Sequence, residues 1–107
     1  MMFMQAKLVD GLFGGEYPLS GKAALSIGRG PGSDISLPVY HEDFDKLLAI
    51  RRVSRNHAVI ERKGNQFFIN DNSANGTYIN GTLIKVSEIK NGDVIKLPAY
   101  PLKVVIE

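Results

Sequence analysis

The stretch HAVIERKGNQFFIND, residues 57–71, decides the fold of this 107-residue chain. Two runs rich in β-branched and aromatic residues flank Gly64-Asn65, as expected of strands on either side of a turn. Gly and Asn tolerate the positive φ angles of tight hairpin turns, so this dipeptide predicts a two-residue loop. Residues 57–63 and 66–71 are therefore predicted to be antiparallel neighbours.

The same pattern continues in both directions along the chain. Asn80-Gly81 predicts a second hairpin, between residues 77–80 and 82–86, and Asn91-Gly92 joins two further runs through a turn. No helical periodicity dominates, so the chain is predicted to be an all-β protein with strands spaced as in a sandwich or barrel. The remaining strand-like runs are FMQAKLV (3–9), EYPLS (16–20), AALSIG (23–28), DISL (34–37), DVIKL (93–97) and LKVVIE (102–107).

One segment, VYHEDFDKLLAIRR at 39–52, departs from the strand pattern. Phe44, Leu47 and Leu48 fall at i, i+3 and i+4, which predicts a short helix with these residues on its apolar face. Acidic residues near its start and an arginine pair at its end complement the helix dipole. So short a helix is marginal alone and must pack on the strands. A mobile surface insertion is the alternative interpretation.

Composition limits the classes of function. The length suits one domain, residues 1–107, whether free or cut from a larger protein. The absence of cysteine excludes disulfides and thiolate metal sites and favours an intracellular setting. No apolar run approaches the roughly 20 residues of a membrane span, and the start does not resemble a signal peptide. A net charge of +2 with scattered lysines does not indicate nucleic-acid binding.

The polar stretch VSRNHAVI, residues 53–60, allows three interpretations. Ser54 and His57 could be a nucleophile and its base, but no Gly-x-Ser-x-Gly elbow surrounds the serine and no carboxylate lies nearby to orient the imidazole. The loop could instead bond its own backbone, with His57 bracing it from inside. The third interpretation is an anion site. Arg29, within the glycine-rich GRGPGSD, would join Ser54 and Arg55 in holding a dianion if the fold brings the two loops together.

Three blocks resemble the signature of the forkhead-associated (FHA) domain family: IGRG at 27–30, VSRNHAVI at 53–60 and NSANGTYING at 72–81. Their order and spacing, and the following NGDVIKL, are also similar to that family, and the match extends from about residue 3 to 107. The resemblance implies an FHA-type β-sandwich of two mostly antiparallel sheets, with about eleven short strands. It also implies that loops at one end bind phosphothreonine peptides through arginines.

The resemblance assigns roles by position. Arg29 and Ser54 should contact phosphate oxygens, and Arg55 should add a further phosphate contact. Asn75 should hydrogen-bond the peptide backbone beside the phosphothreonine. The family positions expected to support the loop geometry are Gly28, His57 and Gly76.

Four further residues are candidates for secondary or specificity contacts: Arg52, Asn56, Ala74 and Thr77. Arg52 is expected to prefer an acidic residue on the C-terminal side of the phosphothreonine. Asn56 is expected to point away from the ligand, because alternate residues of extended backbone face opposite sides. Ala74 stands where several family members carry Ser or Thr, and its lack of a hydroxyl is expected to remove one hydrogen bond to phosphate.

These observations predict an intracellular module that recognises a phosphothreonine-containing protein, without catalysis, metal or cofactor, and without nucleic acid or membrane as a partner. The alternative is a phosphate-independent interaction scaffold of the same fold, with the site modified or covered by the 39–52 insertion.

Overall fold

The computed structural model describes residues 5–107 and contains eleven strands and one helix. The all-β prediction is confirmed, although the first predicted strand began at residues 3 and 4, which lie outside the described part. In chain order the elements are β1 (Ala6–Asp10), β2 (Glu16–Pro18), β3 (Ala24–Gly28), β4 (Ile35–Ser36), α1 (Phe44–Arg51), β5 (Ala58–Lys63), β6 (Gln66–Asp71), β7 (Thr77–Ile79), β8 (Thr82–Ile84), β9 (Val86–Ile89), β10 (Val94–Lys96) and β11 (Pro101–Ile106).

The strands form two packed sheets. One has the order β2-β1-β11-β10-β7-β8 and the other the order β4-β3-β5-β6-β9. Neighbours run antiparallel except β3 and β4, which are parallel. Apolar side chains from both inner faces form one core, as expected of a sandwich. Its fully buried members include Leu8, Ile27, Ile60, Ile69, Ile95 and Leu102.

Both predicted hairpins are confirmed. Lys63 pairs with Gln66 across the first, and Ile79 pairs with Thr82 across the second. In the second turn Asn80 has φ 50° and Gly81 has φ 86°. Two successive positive φ values define the primed turn whose twist matches that of the flanking strands.

The predicted strand 82–86 is in fact two strands in different sheets. β8 ends at Ile84 in the first sheet, and β9 begins at Val86 in the second. The β9 segment, VSEI, has too few apolar residues to be recognised in the sequence, and it becomes a strand by pairing with β6, where Phe67 lies opposite Ile89. The Asn91-Gly92 turn therefore connects two sheets.

The predicted helix is confirmed as α1, but its predicted buried face is wrong. Phe44 and Leu48 remain 67% and 43% exposed, whereas Ala49 and Ile50 are buried. Ile50 lies about 200° around the helix from Leu48, on the opposite side. That side faces the sandwich, where Ile50 and the following Val53 both join the core. No helix within residues 5–107 is long and apolar enough to cross a membrane.

A buried carboxylate closes the β1–β2 loop. Asp10 accepts hydrogen bonds from the backbone N–H of Leu12 (2.8 Å) and Phe13 (2.9 Å), and from the hydroxyls of Tyr17 (2.9 Å) and Tyr100. Burial and the bond to Asp10 raise the pKa of Tyr17 to about 12, and the same causes raise the pKa of Tyr100. These bonds tie the start of the chain to the last hairpin.

Candidate functional site

Three loops meet beside the C-terminal end of α1. They are the β3–β4 loop (29–34), the α1–β5 loop (52–57) and the β6–β7 loop (72–76). Backbone hydrogen bonds join the first two loops: the N–H of Arg29 donates to the carbonyl of Ser54, and the N–H of Gly30 donates to that of Arg55, each at 3.1 Å. The fold thus brings together the residues that the sequence analysis grouped as an anion site.

The close approach of these loops requires glycine at position 28. A Cβ atom there would lie 2.0 Å from the carbonyl oxygen of Arg55 and 2.8 Å from that of Ser54. Ser33, which the sequence analysis did not single out, adds a bond from its Oγ to the Arg55 carbonyl (3.1 Å). Gly28 and Ser33 therefore place the Arg29 and Arg55 segments against each other.

The Arg29 side chain is fixed in position by a hydrogen bond from its own Nε–H. Its Nε–H donates to the carbonyl of Val53, on the neighbouring loop, and the side chain is half-buried. This bond occupies one of the five N–H donors of the guanidinium and leaves the terminal nitrogens for a ligand. Because one donor is already fixed, little side-chain entropy remains to be lost when an anion binds.

Ser54 connects the α1–β5 loop to the β6–β7 loop. Its Oγ accepts a hydrogen bond from the N–H of Ala74 at 3.1 Å. A hydroxyl that accepts this bond can still donate its own proton. Ser54 is half-buried and Arg55 is exposed, so both are reachable from solvent.

His57 lies fully buried beneath these loops. Its Nδ1 accepts the N–H of Ser54 (3.0 Å), and its Nε2 lies 3.0 Å from the carbonyl of Gly76. This pattern fits the neutral ring with its proton on Nε2, and burial lowers the pKa of His57. Because both ring nitrogens face backbone groups, the imidazole is not placed to activate the Ser54 hydroxyl, as a hydrolase would require.

Asn75 extends the site toward the helix. Its side-chain Nδ2 donates to the carbonyl of Arg52, the C-cap residue of α1, at 3.0 Å. Asn75, Ala74 and Arg52 are all exposed. The β6–β7 loop is therefore attached to α1 as well as to Ser54.

The β6–β7 loop is built by Asp71 and Ser73, which the sequence analysis missed, together with Thr77. The Asp71 carboxylate accepts bonds from the hydroxyls of Ser73 (2.6 Å) and Thr77 (2.8 Å), and the Ser73 Oγ accepts the N–H of Gly76 (2.8 Å). Burial would raise the pKa of Asp71, but the bonds from Ser73 and Thr77 outweigh it and hold the pKa below its usual range. An acidic residue two positions before a serine often forms a turn by accepting bonds from the following residues, and this pattern in the sequence could have predicted the loop.

Thr77, expected as a secondary contact, is not available to a ligand. Its side chain is fully buried, and its hydroxyl is bonded to Asp71. The threonine therefore supports the loop from below. Asn56, in contrast, is exposed next to Arg55.

Gly76 is required by both its conformation and its surroundings. Its φ is +99°, and a Cβ there would lie 2.9 Å from the Leu83 side chain and 3.3 Å from that of Tyr78. Tyr78 and Leu83 belong to the β7–β8 hairpin and line a cleft of about 360 Å³ beside Asn75. The cleft lies next to the three-loop site.

The site carries positive charge and is not covered by the insertion. Within residues 5–107, none of Arg29, Arg52 and Arg55 forms an ion pair with a carboxylate. Arg52 and Arg55 are exposed, and α1 leaves both Arg29 and Asn75 accessible. Guanidinium groups without acidic partners, beside a hydroxyl that can still donate its proton, are suited to binding a phosphate dianion.

Comparison with known proteins agrees with this architecture. The FHA domain family model matches residues 25–98. An oxoglutarate dehydrogenase inhibitor from Corynebacterium jeikeium is 34% identical over 77% of this chain and 63% of its own length. The chain thus spans about three fifths of that curated relative.

Two solved structures are similar over 96% of this chain. One, from a study of phosphothreonine-dependent FHA domain interactions, has a TM-score of 0.80 and 28% identity and is covered over 97% of its length. The other, Mycobacterium tuberculosis EmbR in complex with a low-affinity phosphopeptide, has a TM-score of 0.77 and 32% identity and is covered over 24% of its length. By its sequence signature and its structure, the chain belongs to the FHA domain family.

Proposed function

We propose that this chain is a phosphothreonine-peptide recognition module that mediates phosphorylation-dependent protein–protein interaction. The observation that carries the proposal is the three-loop site. There Arg29 is oriented by Val53, the Ser54 hydroxyl is free to donate, and neither Arg29 nor Arg55 has a carboxylate partner within the described residues. The similarity to a structure studied for phosphothreonine-dependent interactions supports the same function.

Each side chain has a distinct role in this proposal. The terminal nitrogens of Arg29, the hydroxyl of Ser54 and the guanidinium of Arg55 donate to phosphate oxygens. Each hydrogen bond to a charged group contributes about 1.5 to 3 kcal/mol. Asn75 holds the peptide backbone through its amide, and its bond to the Arg52 carbonyl sets its orientation.

The proposed module binds without a chemical step. Ser54 is the only nucleophile suggested by the sequence motifs, and the nearest imidazole, that of His57, is bonded to the backbone through both nitrogens. We expect the partner to be an intracellular phosphoprotein, in keeping with the absence of cysteine from the chain. In this proposal, residues 1–107 are a single phosphopeptide-binding domain. The matched relative is longer than this chain, which supports the idea that the domain belongs to a larger protein.

The alternative of a phosphate-independent scaffold required the insertion to modify or cover the site. The position of α1 disfavours this alternative because Arg55 and Asn75 remain exposed. The helix instead contributes to the site through the Arg52 carbonyl.

A degenerate phosphothreonine peptide library tests the proposal, with phosphoserine and unphosphorylated libraries alongside. We expect capture only by phosphothreonine, and we expect Arg29→Ala to lose it, since removing one partner of a desolvated charge pair costs about 2 to 5 kcal/mol. Arg62→Ala is the matched control, because Arg62 is an exposed arginine of β5 bonded to the Gly64 carbonyl at the turn after that strand. Equal capture of phosphorylated and unphosphorylated peptides by a folded protein would contradict the proposal.

A further inference from the structure

The insertion presents an apolar face that the sandwich leaves uncovered. Phe44 and Leu48 are 67% and 43% exposed, and their spacing of four places them on one side of α1. Scattered exposed apolar residues are ordinary on a protein surface. These two are aligned on one helix, however, and that helix ends at the three-loop site.

This helix is held in a defined position relative to the site. Ile50 and Val53 lie in the core, and the Asn75 side chain donates to the Arg52 carbonyl at the helix end. Before the helix, the ring of His41 lies 5.1 Å from the ring of Phe13 on the β1–β2 loop. The exposed face is therefore presented at a constant distance and angle from the site.

The two ends of the insertion carry opposite charge. Glu42 lies just before α1 and Asp45 in its first turn, whereas Arg51 ends the helix and Arg52 follows it. Moving away from the three-loop site along α1, a ligand would meet the arginines, then Leu48, then Phe44 with carboxylates on either side of it. Lys46 lies about 200° around the helix from Phe44, on the opposite side. The basic end is continuous with Arg55, which belongs to the proposed phosphate site.

We propose that the Phe44–Leu48 face binds a second part of the phosphorylated partner itself: an apolar side chain, followed by a basic one, on the same segment as the phosphothreonine. The inference rests on the proposed function and extends it to specificity. Arg52 lies eight residues from Phe44, which is about 12 Å along a helix. An extended peptide covers that distance in roughly four residues. The proposed phosphate contacts, Arg29 and Ser54, lie beyond Arg52 and add further residues, so positions from about four to eight residues from the phosphothreonine are the ones to test.

The test uses 21-residue peptides with a central phosphothreonine in a Gly/Ser background, with a single Leu placed at each position from four to eight on either side. A 7-residue phosphothreonine peptide is the short probe. We expect Leu at one or two positions on one side to tighten binding about five- to tenfold, as burial of much of an apolar side chain would. A Lys placed beyond that Leu should tighten it further.

The double variant Phe44→Ser/Leu48→Ser should abolish the Leu effect and leave the affinity for the short probe unchanged. Val86→Ser, which alters a 62% exposed apolar residue on β9, is the matched control and should change neither. Glu42→Lys/Asp45→Lys should remove the Lys preference alone. Asp43 is left in place because its side chain caps the helix by accepting the Lys46 N–H.

The outcomes are distinguishable. If the short probe binds but no Leu position improves affinity, or if the double variant keeps the improvement, the inference is overturned while the proposed function stands. If no phosphothreonine peptide binds the folded chain, both are overturned. Sedimentation equilibrium provides a further test: self-association of the wild-type chain that the double variant abolishes would assign the face to a second copy and overturn the inference.

Discussion

Replacing Gly28 with alanine tests the physical basis of the site most directly. The added methyl group would lie 2.0 Å from the carbonyl oxygen of Arg55 and 2.8 Å from that of Ser54. Ordinary contacts begin near 3.4 Å, and the atoms that would have to move are backbone rather than the end of a flexible side chain. The α1–β5 loop must therefore move away from β3.

The expected cost follows from the bonds that this movement breaks. The loops are joined by Arg29 N–H to Ser54 O, Gly30 N–H to Arg55 O and Ser33 Oγ to Arg55 O. At about 1 kcal/mol for each net hydrogen bond, their loss lowers the free energy of unfolding by about 3 kcal/mol. For a domain of this size, that corresponds to a fall in Tm of roughly 10 to 20 °C.

Urea denaturation followed by circular dichroism measures this effect, with Gly32→Ala as the matched control in the same loop. A Cβ at Gly32 meets nothing within 4 Å, so this variant should lie within about 0.5 kcal/mol of the wild type or be slightly more stable. Phosphothreonine-peptide binding should be lost in Gly28→Ala and kept in Gly32→Ala. A Gly28→Ala protein as stable as the control would refute the argument that loop contact requires glycine here.

Three further perturbations have expected outcomes. Burial lowers the pKa of His57 below its usual 6.5. The stability that the neutral imidazole contributes is therefore present above pH 6.5 and is lost as the pH falls through the folded-state pKa. Below pH 6.5, Tm should fall less steeply with pH in His57→Gln than in the wild type. The pKa of Tyr17 is raised from 10.0 to about 12, so the stability contributed by its protonated hydroxyl is present below pH 10 and is lost between pH 10 and 12. In urea titrations, the free energy of unfolding of Tyr17→Phe should fall less steeply over that pH range than that of the wild type. An unchanged slope would contradict this. Ser54→Ala removes both the acceptor for the Ala74 N–H and the proposed phosphate donor; calorimetry should show phosphothreonine-peptide affinity weakened by about 1.5 to 3 kcal/mol, or roughly 10- to 150-fold.

Local chemistry explains which parts of the fold could be predicted. The hairpins at Gly64-Asn65 and Asn80-Gly81 were predictable because a tight turn depends on the few residues within it. The division of residues 82–89 between two sheets was not, because β9 exists through its pairing with β6 and has only two apolar residues of its own. The helix was predictable from its apolar spacing and from the charges at its two ends, but its buried face was not.

The candidate site, too, was predictable in part. The GRG, SRNH and NG motifs indicated which side chains to examine, and the structure places Arg29, Ser54, Arg55 and Asn75 around one surface. Thr77 was expected to make a secondary contact with a ligand. Its burial and its bond to Asp71 become visible only once the β6–β7 loop is closed.

The amino-acid sequence by itself determined most of the strands, the tight turns and the family, since these depend on neighbouring residues and on motifs read in order. Only the tertiary structure decided that Gly28 makes room for the Arg55 carbonyl, that His57 joins Ser54 to Gly76, and that Asn75 is attached to the end of α1. Each of these contacts joins residues 3 to 27 positions apart through specific atoms. Such contacts depend on how the two sheets and three loops pack against each other, which no local pattern specifies.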